Sequence, residues 1–360
     1  MGAILVINPG STSTKLAIFD NHELVAEETL RHSVEEISQF ETVISQTDFR
    51  ANLIQAFMDA HNMSDKLVAV VGRGGLLKPI PGGTYRVDEA MLDDLLTERY
   101  NTHASNLGGV LANKFAEARN IPAFIVDPVV VDEMEPLAKI SGLKGIDRRS
   151  VSHVLNQKAV ARKAVKDLGK KYEETSVIVG HLGGGISIGA HKNGKIVDVI
   201  NGLDGEGPYS PERSGTLPLI DFADMILSED LQLADVKKII AGNSGLKSYL
   251  GETDLREVEK RIAAGDEEAK FYLDGMCYQV AKGVAEMAAV LKGQVDQIVL
   301  TGGAIYSDYI FGTICDYVQW IAPVKAHPGE MEMEALYEGA LRVLNGEEEG
   351  LSYGSVDLTK

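Results

Sequence analysis

Arginines in three loops have neighbours that would let an anion come close. Arg73 lies in VGRGG and Arg213 in SPERSG, while Arg148 and Arg149 are adjacent in IDRRS. A guanidinium binds carboxylate or phosphoryl oxygens in a bidentate manner, and adjacent glycine leaves room for that approach. A loop arginine is also often a solvated surface residue, so the pattern by itself leaves both interpretations open.

One aspartate and two histidines accompany these arginines. Asp127 ends the apolar run AFIV and precedes Pro128. An acid there can cap a following helix, with proline at the first helical position. Near arginines and phosphates it could instead hold a magnesium-bound water or orient a nucleophile. His181, in GHLGGG, stands at a glycine-rich bend, whereas His103, in NTHASN, has no comparable context.

Three glycine-rich bends follow apolar strands and suit phosphate groups. They span residues 8–13, 180–185 and 301–304. Backbone N–H groups can approach a phosphate there without an intervening Cβ. No bend matches GxxxxGK[ST], and none is GxGxxG leading from a strand into a helix, which disfavours a P-loop or dinucleotide site. A plain hairpin turn is the alternative for any single bend.

The first two bends belong to a repeated unit. Each copy consists of a strand, the bend, a second strand, an Asx-containing turn and a third strand. The strands are predicted over Ala3–Ile7, Thr14–Phe19, Glu23–Leu30, Thr175–Val179, 186–191 and 196–200. The copies lie about half the chain apart, which predicts two lobes built from one unit.

Helices and a further strand account for much of the remaining chain. The spacing of apolar residues predicts helices over Ser152–Leu168, Glu267–Lys292 and Glu334–Leu344, and a strand over Gln297–Leu300. Asn345-Gly346 ends the last helix, and the polar tail that follows is predicted to form little regular structure. No low-complexity linker is visible, so we expect ordered elements to join the lobes, with a cleft between them.

Composition excludes several classes of protein. A chain of 360 residues, 44% of them hydrophobic, exceeds one usual core and can bury two. Its formal charge of -18 disfavours nucleic acid and anionic membranes as partners. The two cysteines, Cys277 and Cys315, suit a reducing cytosol better than a disulfide scaffold or zinc site. The N-terminus shows no signal peptide or membrane span, so we expect a cytoplasmic protein.

Seven short motifs together resemble the acetate kinase family, within the superfamily of acetate and sugar kinases, Hsp70 and actin. They are NPGSTSTK (8–15), RGGL (73–76), HASNLG (103–108), VDPVVVDEM (126–134), HLGGGIS (181–187), PERSGTLP (211–218) and TGGA (301–304). They cover essentially the whole chain in the order that the family requires. Seven ordered motifs are specific where any one of them would not be.

The resemblance implies an α/β fold of two duplicated ribonuclease H-like lobes, each a mixed five-stranded sheet flanked by helices, with a nucleotide cleft between the lobes. The N-terminal lobe would comprise residues 1–128 plus 334–360, and the C-terminal lobe residues 129–333. The implied activity is reversible formation of butanoyl phosphate from butanoate or isobutanoate, with ATP/ADP and Mg²⁺. A homodimer or higher homo-oligomer is expected, without nucleic-acid or membrane partners.

The resemblance also implies roles for individual residues. The catalytic residues would be Arg73, Asp127, Arg149, His181 and Arg213. The phosphates would lie beside Ser11, Ser13, Lys15, Gly183, Gly184 and Gly185, and the adenosine beside Asp254, Arg256, Gly302, Gly303 and Ala304. Magnesium would be bound by Asn8 and Glu332, with Glu330 and Glu334 as neighbouring alternatives to Glu332. Thr12 and Thr14 are expected to serve the hairpin instead.

Two positions depart from the acetate kinase pattern. Arg149 stands where the family has a phosphoryl-facing histidine, four residues before His153, and a permanently charged arginine would keep the cationic role. Gly74 and Gly75 follow Arg73 where acetate kinases have bulky residues. Their small volume predicts room for a longer acyl chain, which favours butanoate or isobutanoate over acetate.

The chemistry itself requires little proton transfer. A carboxylate is ionised at neutral pH and needs no general base to attack the γ-phosphorus. We therefore expect Asp127 to organise the magnesium shell or orient the substrate arginine, while the other catalytic residues and the metal neutralise charge. An acetate or propionate kinase is the nearest alternative. A non-catalytic nucleotide-binding protein of the actin or Hsp70 type is another.

Overall fold

The structure, a computed structural model, describes residues 2–356. The chain divides into two compact units, an N-terminal unit of Met1–Asp132 with Met331–Lys360 and a C-terminal unit of Glu133–Glu330. The sequence analysis predicts these boundaries after residues 128 and 333. Residues 357–360, which it assigns to the N-terminal lobe, lie outside the described residues.

The secondary structure follows the predicted alternation of strands and helices. The strands are β1 (Ala3–Pro9), β2 (Ser13–Asp20), β3 (Glu23–Arg31), β4 (Leu67–Arg73), β5 (Thr84–Arg86), β6 (Ala123–Val126), β7 (Ile140–Leu143), β8 (Ile146–Asp147), β9 (Ser176–Leu182), β10 (Ile186–Lys192), β11 (Lys195–Ile200), β12 (Gln297–Gly302), β13 (Val324–Pro328) and β14 (Leu351–Ser352). The α-helices are α1 (Val34–Ile37), α2 (Thr47–Ala60), α3 (Glu89–Leu96), α4 (Asn106–Glu117), α5 (Val154–Asp167), α6 (Leu219–Ser228), α7 (Leu233–Ile240), α8 (Leu246–Leu250), α9 (Leu255–Ala263), α10 (Glu267–Val290), α11 (Asp308–Val318) and α12 (Glu332–Leu344).

The N-terminal unit is built on a seven-stranded mixed sheet in the order β14-β5-β6-β4-β1-β2-β3. The central strand β1 pairs antiparallel with β2 and parallel with β4. Its residues Ala3–Ile7 form an unbroken apolar run and are at most 2% exposed, as expected for a strand covered on both faces. Side chains of β1 share one core with α2 and α4, and α12 packs against β1 and β6.

The C-terminal unit is built on a five-stranded sheet in the order β11-β10-β9-β12-β13. Strands β9, β10 and β11 pair antiparallel, while β9, β12 and β13 pair parallel. In the N-terminal unit β3, β2, β1, β4 and β6 have the same order and directions. This correspondence confirms the predicted duplication of a mixed five-stranded sheet. The short strands β5 and β14 extend only the N-terminal copy.

The glycine bends are shorter than the sequence analysis predicts. Because β1 continues through Pro9 and β9 through Leu182, the first two bends comprise residues 10–12 and 183–185. His181 therefore belongs to a strand rather than to the bend. It lies in register with Ser187 of β10 on one side and Thr301 of β12 on the other.

The polar tail is ordered through residue 356, so its prediction as unstructured was wrong for this segment. Strand β14 pairs parallel with β5. Tyr353 is 1% exposed, and its hydroxyl donates to Asp94 Oδ2 at 2.6 Å. A single buried tyrosine with a satisfied hydroxyl anchors a segment that is otherwise polar. No helix of the described chain is long and apolar enough to cross a membrane.

Candidate active site

Asn8, Arg73 and Glu332 meet at one edge of the N-terminal sheet. Ile7 pairs with Gly72 in the parallel ladder, so Asn8 and Arg73 emerge side by side. Arg73 Nη1 forms an ion pair with Glu332 Oε1, and Asn8 Nδ2 donates to Glu332 Oε2 at 2.8 Å. Glu332 opens α12, where the helix N-terminus stabilises a carboxylate. Of the three predicted glutamates, Glu332 is the one that contacts both partners.

A close backbone contact between β4 and α4 positions Arg73. A Cβ on Gly72 would lie 2.0 Å from the carbonyl oxygen of Gly108, and a Cβ on Gly108 would lie 2.0 Å from that of Arg73. The helix therefore packs directly on the strand backbone, which only paired glycines allow. Both glycines lie in segments that the sequence analysis singles out, but their mutual contact was not predicted.

Gly74 and Gly75 do not leave open space, so the predicted room for a longer acyl chain at these positions was wrong. A Cβ on Gly74 would lie 2.4 Å from Pro128 Cβ, and one on Gly75 would lie 2.6 Å from Asn106 Cα. The side-chain oxygen of Asn106 also accepts the Leu76 N–H at 2.8 Å. Protein atoms occupy the volume that these glycines vacate. The two residues therefore serve the packing of the loop.

Asp127 follows β6, where Val126 lies in register with Arg73. The aspartate is 2% exposed, and its Oδ1 accepts the Gly83 N–H at 2.8 Å. Its backbone has φ of +38°, a left-handed conformation that a residue with a Cβ rarely adopts. Within the described chain no helix begins at Pro128, so the helix-cap interpretation was wrong. The carboxylate instead ties the Gly83 loop to the strand end.

Arg50 of α2 organises the first bend, and the sequence analysis missed it. The residue is fully buried, and Nη1 donates to the carbonyl oxygens of Gly10 and Ser13 at 2.9 Å each. Its Nη2 donates to Gln46 Oε1 at 2.8 Å. Burial lowers the pKa of Arg50 to about 10. The contacts draw carbonyl oxygens toward the helix, leaving the bend less repulsive to an anion. A basic residue on the apolar face of α2 was the available signal.

The hydroxyl residues of the hairpin fall into two groups. Thr14 is buried, and its Oγ1 lies 2.9 Å from His32 Nε2 and 3.0 Å from Arg50 Nη1. Ser11 and Thr12 are exposed at the tip, and Ser13 is half-buried. Thr14 thus serves the hairpin, while the serines are open to a ligand.

Lys15 has an alternative partner in the structure. Its Nζ forms an ion pair with Glu27 Oε1 at 2.7 Å, and the two side chains are 40% and 32% exposed. Exposed pairs of this kind contribute little net stability. A phosphate contact would require Lys15 to exchange or share this carboxylate, which such a weak pair permits.

His103 lies near Arg73, a proximity that its motif did not reveal. Its Nδ1 accepts the Ser105 N–H at 3.2 Å and lies 2.8 Å from Ser105 Oγ. Loss of solvation, followed by the positive charge of Arg73, lowers the pKa of His103. An accepting Nδ1 leaves the proton of the neutral ring on Nε2. His103 is thus a hydrogen-bond donor beside the Asn8, Arg73 and Glu332 cluster.

In the C-terminal unit, Arg213 lies across the second glycine bend. A Cβ on Gly185 would lie 2.1 Å from Arg213 Nη1 and 2.4 Å from its Cζ, so Gly185 is required for this position. The guanidinium reaches the Gly202 carbonyl oxygen at 3.4 Å, and within residues 2–356 it forms no ion pair with a carboxylate. Burial lowers the pKa of Arg213, which nevertheless stays cationic. Arg213 feels the charge of the neighbouring Glu212 but forms no ion pair with a described residue, so its guanidinium suits an anionic ligand.

A cleft of about 1030 Å³ in the C-terminal unit collects most of the predicted adenosine and phosphate residues. Its lining comprises Gly183, Gly184, Pro211, Glu212, Thr253, Asp254, Leu255, Arg256, Glu259, Lys260, Ala263, Gly303, Ala304, Tyr306 and Ser307. A concave site of this size accommodates a nucleotide-sized ligand. Gly185 and Gly302 are absent from the lining because Gly185 faces Arg213 and Gly302 packs on the Leu182 carbonyl.

Charged residues of α9 form one side of this cleft. Asp254 caps the helix by accepting the Arg256 N–H at 2.9 Å, and it pairs with Arg256 Nη2 at 2.6 Å. These contacts hold the pKa of Asp254 at about 2. Lys260, which the sequence analysis did not select, lies one turn beyond Arg256 on the same face. The spacing of the two cations was the available signal.

His181 is neutral in the folded protein. It is 2% exposed and stacks on His153, with ring centroids 3.8 Å apart. Its Nδ1 accepts from Asn156 Nδ2 at 2.9 Å. Burial, and then the neighbouring His153, lowers the pKa of His181 to about 2. Because desolvation disfavours the charged ring, the role predicted for His181 would be that of a neutral hydrogen-bond donor. A neutral His181 offers an Nε2–H donor instead.

The adjacent arginines of IDRRS have different environments. Arg148 is half-buried and pairs with Asp198 at 2.9 Å and Glu206 at 3.0 Å, so it is structural. Arg149 is 69% exposed and pairs with Asp204 at 2.7 Å. An exposed pair of this kind exchanges partners at low cost. That mobility is compatible with the predicted replacement of the phosphoryl-facing histidine by Arg149.

Duplicated five-stranded sheets with glycine bends at their strand ends define a chain of the acetate and sugar kinase, Hsp70 and actin class. Residues 138–307 match the acetokinase family. A probable butyrate kinase of Enterococcus faecalis (strain ATCC 700802 / V583) is 66% identical over 358 residues, which is 99% of each chain. The chain therefore belongs to the acetokinase family.

Solved structures with the same fold include two carboxylate kinases. The acetate kinase of Porphyromonas gingivalis aligns with a TM-score of 0.79 and 21% identity, over 96% of this chain and 100% of that one. A propionate kinase from Francisella tularensis subsp. tularensis SCHU S4 aligns with a TM-score of 0.71 and 20% identity, over 94% of this chain and 99% of that one. At these identities the likeness establishes the fold.

Proposed function

We propose that this protein is a butyrate kinase, which transfers the γ-phosphoryl group of ATP to butanoate and forms butanoyl phosphate and ADP reversibly. The observation that carries the proposal is its 66% identity, over nearly the full length, to a protein named probable butyrate kinase. Each unit by itself carries a cation suited to an anionic reactant, Arg73 in the N-terminal unit and Arg213 in the C-terminal unit, and a reaction between two anions requires such charges.

Arg73 is proposed to bind the substrate carboxylate. The butanoate carboxylate is ionised at neutral pH, so attack on phosphorus needs a positioned nucleophile rather than a base. Arg73 already holds a carboxylate, that of Glu332, at the sheet edge. Sharing this guanidinium with the substrate would hold the attacking oxygen in place.

Arg213 is proposed to stabilise the transferred phosphoryl group. Within the described chain it forms no ion pair, although Glu212 lies close enough to act on its charge, and it lies on the bare Gly185 backbone. Charge placed in advance where negative charge develops is the main catalytic contribution in such transfers. The neutral His181 would add an Nε2–H donor, and the cleft beside α9 would hold the nucleoside of ATP.

The donor set of the N-terminal unit fits magnesium. Asn8 and Glu332 offer an amide oxygen and a carboxylate, and Mg²⁺ is usually held by one or two such protein ligands together with waters and phosphate oxygens. When bound, the metal would neutralise phosphate charge. Asn8 and Glu332 would hold it, while Asp127 keeps the neighbouring strand end in place through Gly83.

The activity is tested with purified protein, ATP and magnesium by trapping acyl phosphates as hydroxamates. Acetate, propanoate, butanoate and isobutanoate are compared by kcat/KM, and we expect the largest value with butanoate or isobutanoate. A maximum at acetate or propanoate would favour the shorter-chain kinases. Tight ATP binding with no hydroxamate from any acid would favour a non-catalytic nucleotide-binding protein.

A cytosolic homodimer is also proposed. The Cys277 thiol is fully buried, and burial raises its pKa to about 12, so it is an inert packed group as expected in a reducing compartment.

Helix α6 exposes Leu219, Ile220 and Leu227 to between 79% and 82%, an apolar surface that suits self-association. Light scattering should give a dimer mass for the wild type and a lower mass for Ile220→Glu. A monomeric wild type would contradict the proposal.

A further inference from the structure

A chain of buried hydrogen bonds runs from Tyr172 to His153 in the C-terminal unit. Tyr172 OH lies 2.7 Å from His191 Nδ1, and His191 Nε2 lies 3.0 Å from Gln157 Oε1. Gln157 Nε2 lies 2.9 Å from Ser187 Oγ, which lies 2.9 Å from His153 Nδ1. The four residues before His153 are at most 3% exposed. The proposed reaction uses none of those four directly.

The residues of the hydrogen-bond chain are aligned by the side-chain spacing of strand β10 and helix α5. Alternation along β10 places Ser187, Gly189 and His191 on one face, and His153 and Gln157 lie one turn apart at the start of α5. Gly189 has no side chain at the point where Gln157 reaches the sheet. A Cβ there would lie 2.5 Å from Gln157 Oε1 and 3.2 Å from His191 Nε2. The glycine thus makes the hydrogen-bond chain possible.

Donor and acceptor chemistry determines the proton positions in the first half of the chain. Gln157 Nε2 faces the Ser187 carbonyl at 3.4 Å, which can only accept, so the Gln157 oxygen faces His191. His191 Nε2 therefore donates to that oxygen. Full burial lowers the pKa of His191 to about 3, so its ring is neutral. The remaining ring nitrogen, Nδ1, accepts the Tyr172 hydroxyl proton.

The second half of the chain determines the tautomer of His153. Ser187 Oγ accepts from Gln157 Nε2 at 2.9 Å and from the His153 N–H at 3.5 Å, which uses both of its lone pairs, so its own proton is donated to His153 Nδ1. A neutral His153 must then carry its proton on Nε2. The stacked His181 has the same tautomer, because its Nδ1 accepts from Asn156.

We propose that Tyr172, His191, Gln157 and Ser187 are positioning residues that hold His153 in its Nε2–H tautomer, so that His153 and His181 both direct Nε2–H donors to the transferred phosphoryl group. The role toward phosphoryl rests on the proposed function. At the second glycine bend, His181 Nε2 lies 3.5 Å from the position of a Cβ on Gly183 and 3.7 Å from Oε1 of the exposed Glu330, whose place a phosphoryl oxygen would take. The hydrogen-bond chain contacts no substrate and acts through His153.

The direct test is ¹⁵N NMR of the full chain labelled at its eight histidines, with His153→Gln and His181→Gln used for assignment. At neutral pH we expect a pyridine-type Nδ1 and a pyrrole-type Nε2 for both rings. In Ser187→Ala the Nδ1 of His153 loses its donor, so the two tautomers should interconvert and the two nitrogen shifts should converge. A pyrrole-type Nδ1 on wild-type His153 would overturn the proposal.

The matched control is Ser152→Ala. Ser152 is the buried residue next to His153, and its Oγ makes no hydrogen bond with any described residue. We expect Ser187→Ala to lower kcat roughly two- to twelvefold, the range for one hydrogen bond, with KM for ATP unchanged. Ser152→Ala should leave both the spectrum and kcat unchanged. Identical behaviour of the two variants would refute the positioning role.

The NMR spectra and the activity assay distinguish a failure of this inference from a failure of the proposed function. The NMR measurement needs no substrate, so the predicted tautomers can be observed even if no acid is phosphorylated, in which case only the proposed function fails. Conversely, active protein with a His153 that carries its proton on Nδ1 would overturn the hydrogen-bond chain and leave the proposed function intact.

Discussion

Replacing Arg50 with methionine should loosen the first phosphate-suited bend more than any surface change. The fully buried guanidinium donates to two bend carbonyls at 2.9 Å and to Gln46 Oε1 at 2.8 Å. Methionine fills part of the volume but donates nothing. Gly10 O, Thr14 Oγ1 and Gln46 Oε1 then lose this donor, while Ser13 O keeps the Gly10 N–H at 2.8 Å. The bend also loses its attachment to α2.

The expected cost follows from these contacts. A buried acceptor without a partner costs about 1–3 kcal/mol, so the loss of the contacts to Gly10 O, Thr14 Oγ1 and Gln46 Oε1 would cost several kcal/mol if none relaxed. The carbonyls are only partly buried and can admit water, and methionine avoids the desolvation that lowers the pKa of Arg50. We therefore expect a net loss of about 2–3 kcal/mol in unfolding free energy.

The assay combines urea unfolding with hydrogen exchange of peptides that cover residues 9–16. Arg50→Met should lower the urea midpoint, accelerate exchange in the bend and raise KM for ATP. The matched control is Lys114→Met, which removes a 48% exposed lysine paired, among the described residues, only with the exposed Asp48 and should change stability by less than about 1 kcal/mol. Equal stability of the two variants, or destabilisation without faster exchange in the bend, would refute the reasoning.

Three further predictions concern the site. Gly185→Ala should lower kcat at least tenfold in the hydroxamate assay by displacing Arg213, since the new Cβ would lie 2.1 Å from Nη1, and unchanged turnover would remove Arg213 from the site. Asp127→Asn should weaken the response of activity to magnesium by loosening the strand end beside Arg73, and loss of rate with a wild-type magnesium response would contradict that role. Burial lowers the pKa of His181 to about 2 and of His191 to about 3 from an ordinary value of about 6.5, so below pH ~6.5 the unfolded chain binds protons that the folded chain does not. The unfolding free energy should thus fall between pH ~6.5 and ~3 by about 1.4 kcal/mol per pH unit for each histidine. In urea unfolding, His191→Gln should therefore lose about 1.4 kcal/mol per pH unit less than the wild type. The same pH dependence in both proteins would contradict this prediction.

Features with a local sequence signal were predicted well. The strands of both repeats, the long helix α10 and the duplicated sheet follow from hydrophobic periodicity and turn residues, which act over a few neighbouring positions. Predicted candidates also meet in space, because parallel strands bring their carboxyl ends to one edge. Arg73 joins Asn8 in this way, and Val126 precedes Asp127 beside them.

Features that depend on distant packing were not predictable in the same way. Gly74 and Gly75 suggested empty volume, but Pro128 and the distant Asn106 fill that space. His181 is predicted among the residues that neutralise charge, whereas its burial and the stacked His153, which lower its pKa, have no signal in the sequence. These outcomes depend on which atoms surround a group, information that residue types and spacing do not contain.

Arg50 and Tyr353 are structurally important residues that the sequence did not single out. Each is a single residue in a segment without a motif, and each organises structure through partners more than thirty positions away. In the sequence, Arg50 is one charged residue of an amphipathic helix, and Tyr353 belongs to a polar tail. Their burial becomes visible only when the hairpin and the edge of the sheet are in place.

The most direct test of the account is ³¹P NMR of the purified chain with ATP, magnesium and butanoate. We predict that the ATP signals decline as ADP and a new acyl phosphate signal rise together, and that adding ADP to butanoyl phosphate reverses the change. Arg213→Ala should abolish the acyl phosphate signal while nucleotide still binds. Unchanged ATP, or release of inorganic phosphate without acyl phosphate, would contradict the assignment of a carboxylate kinase.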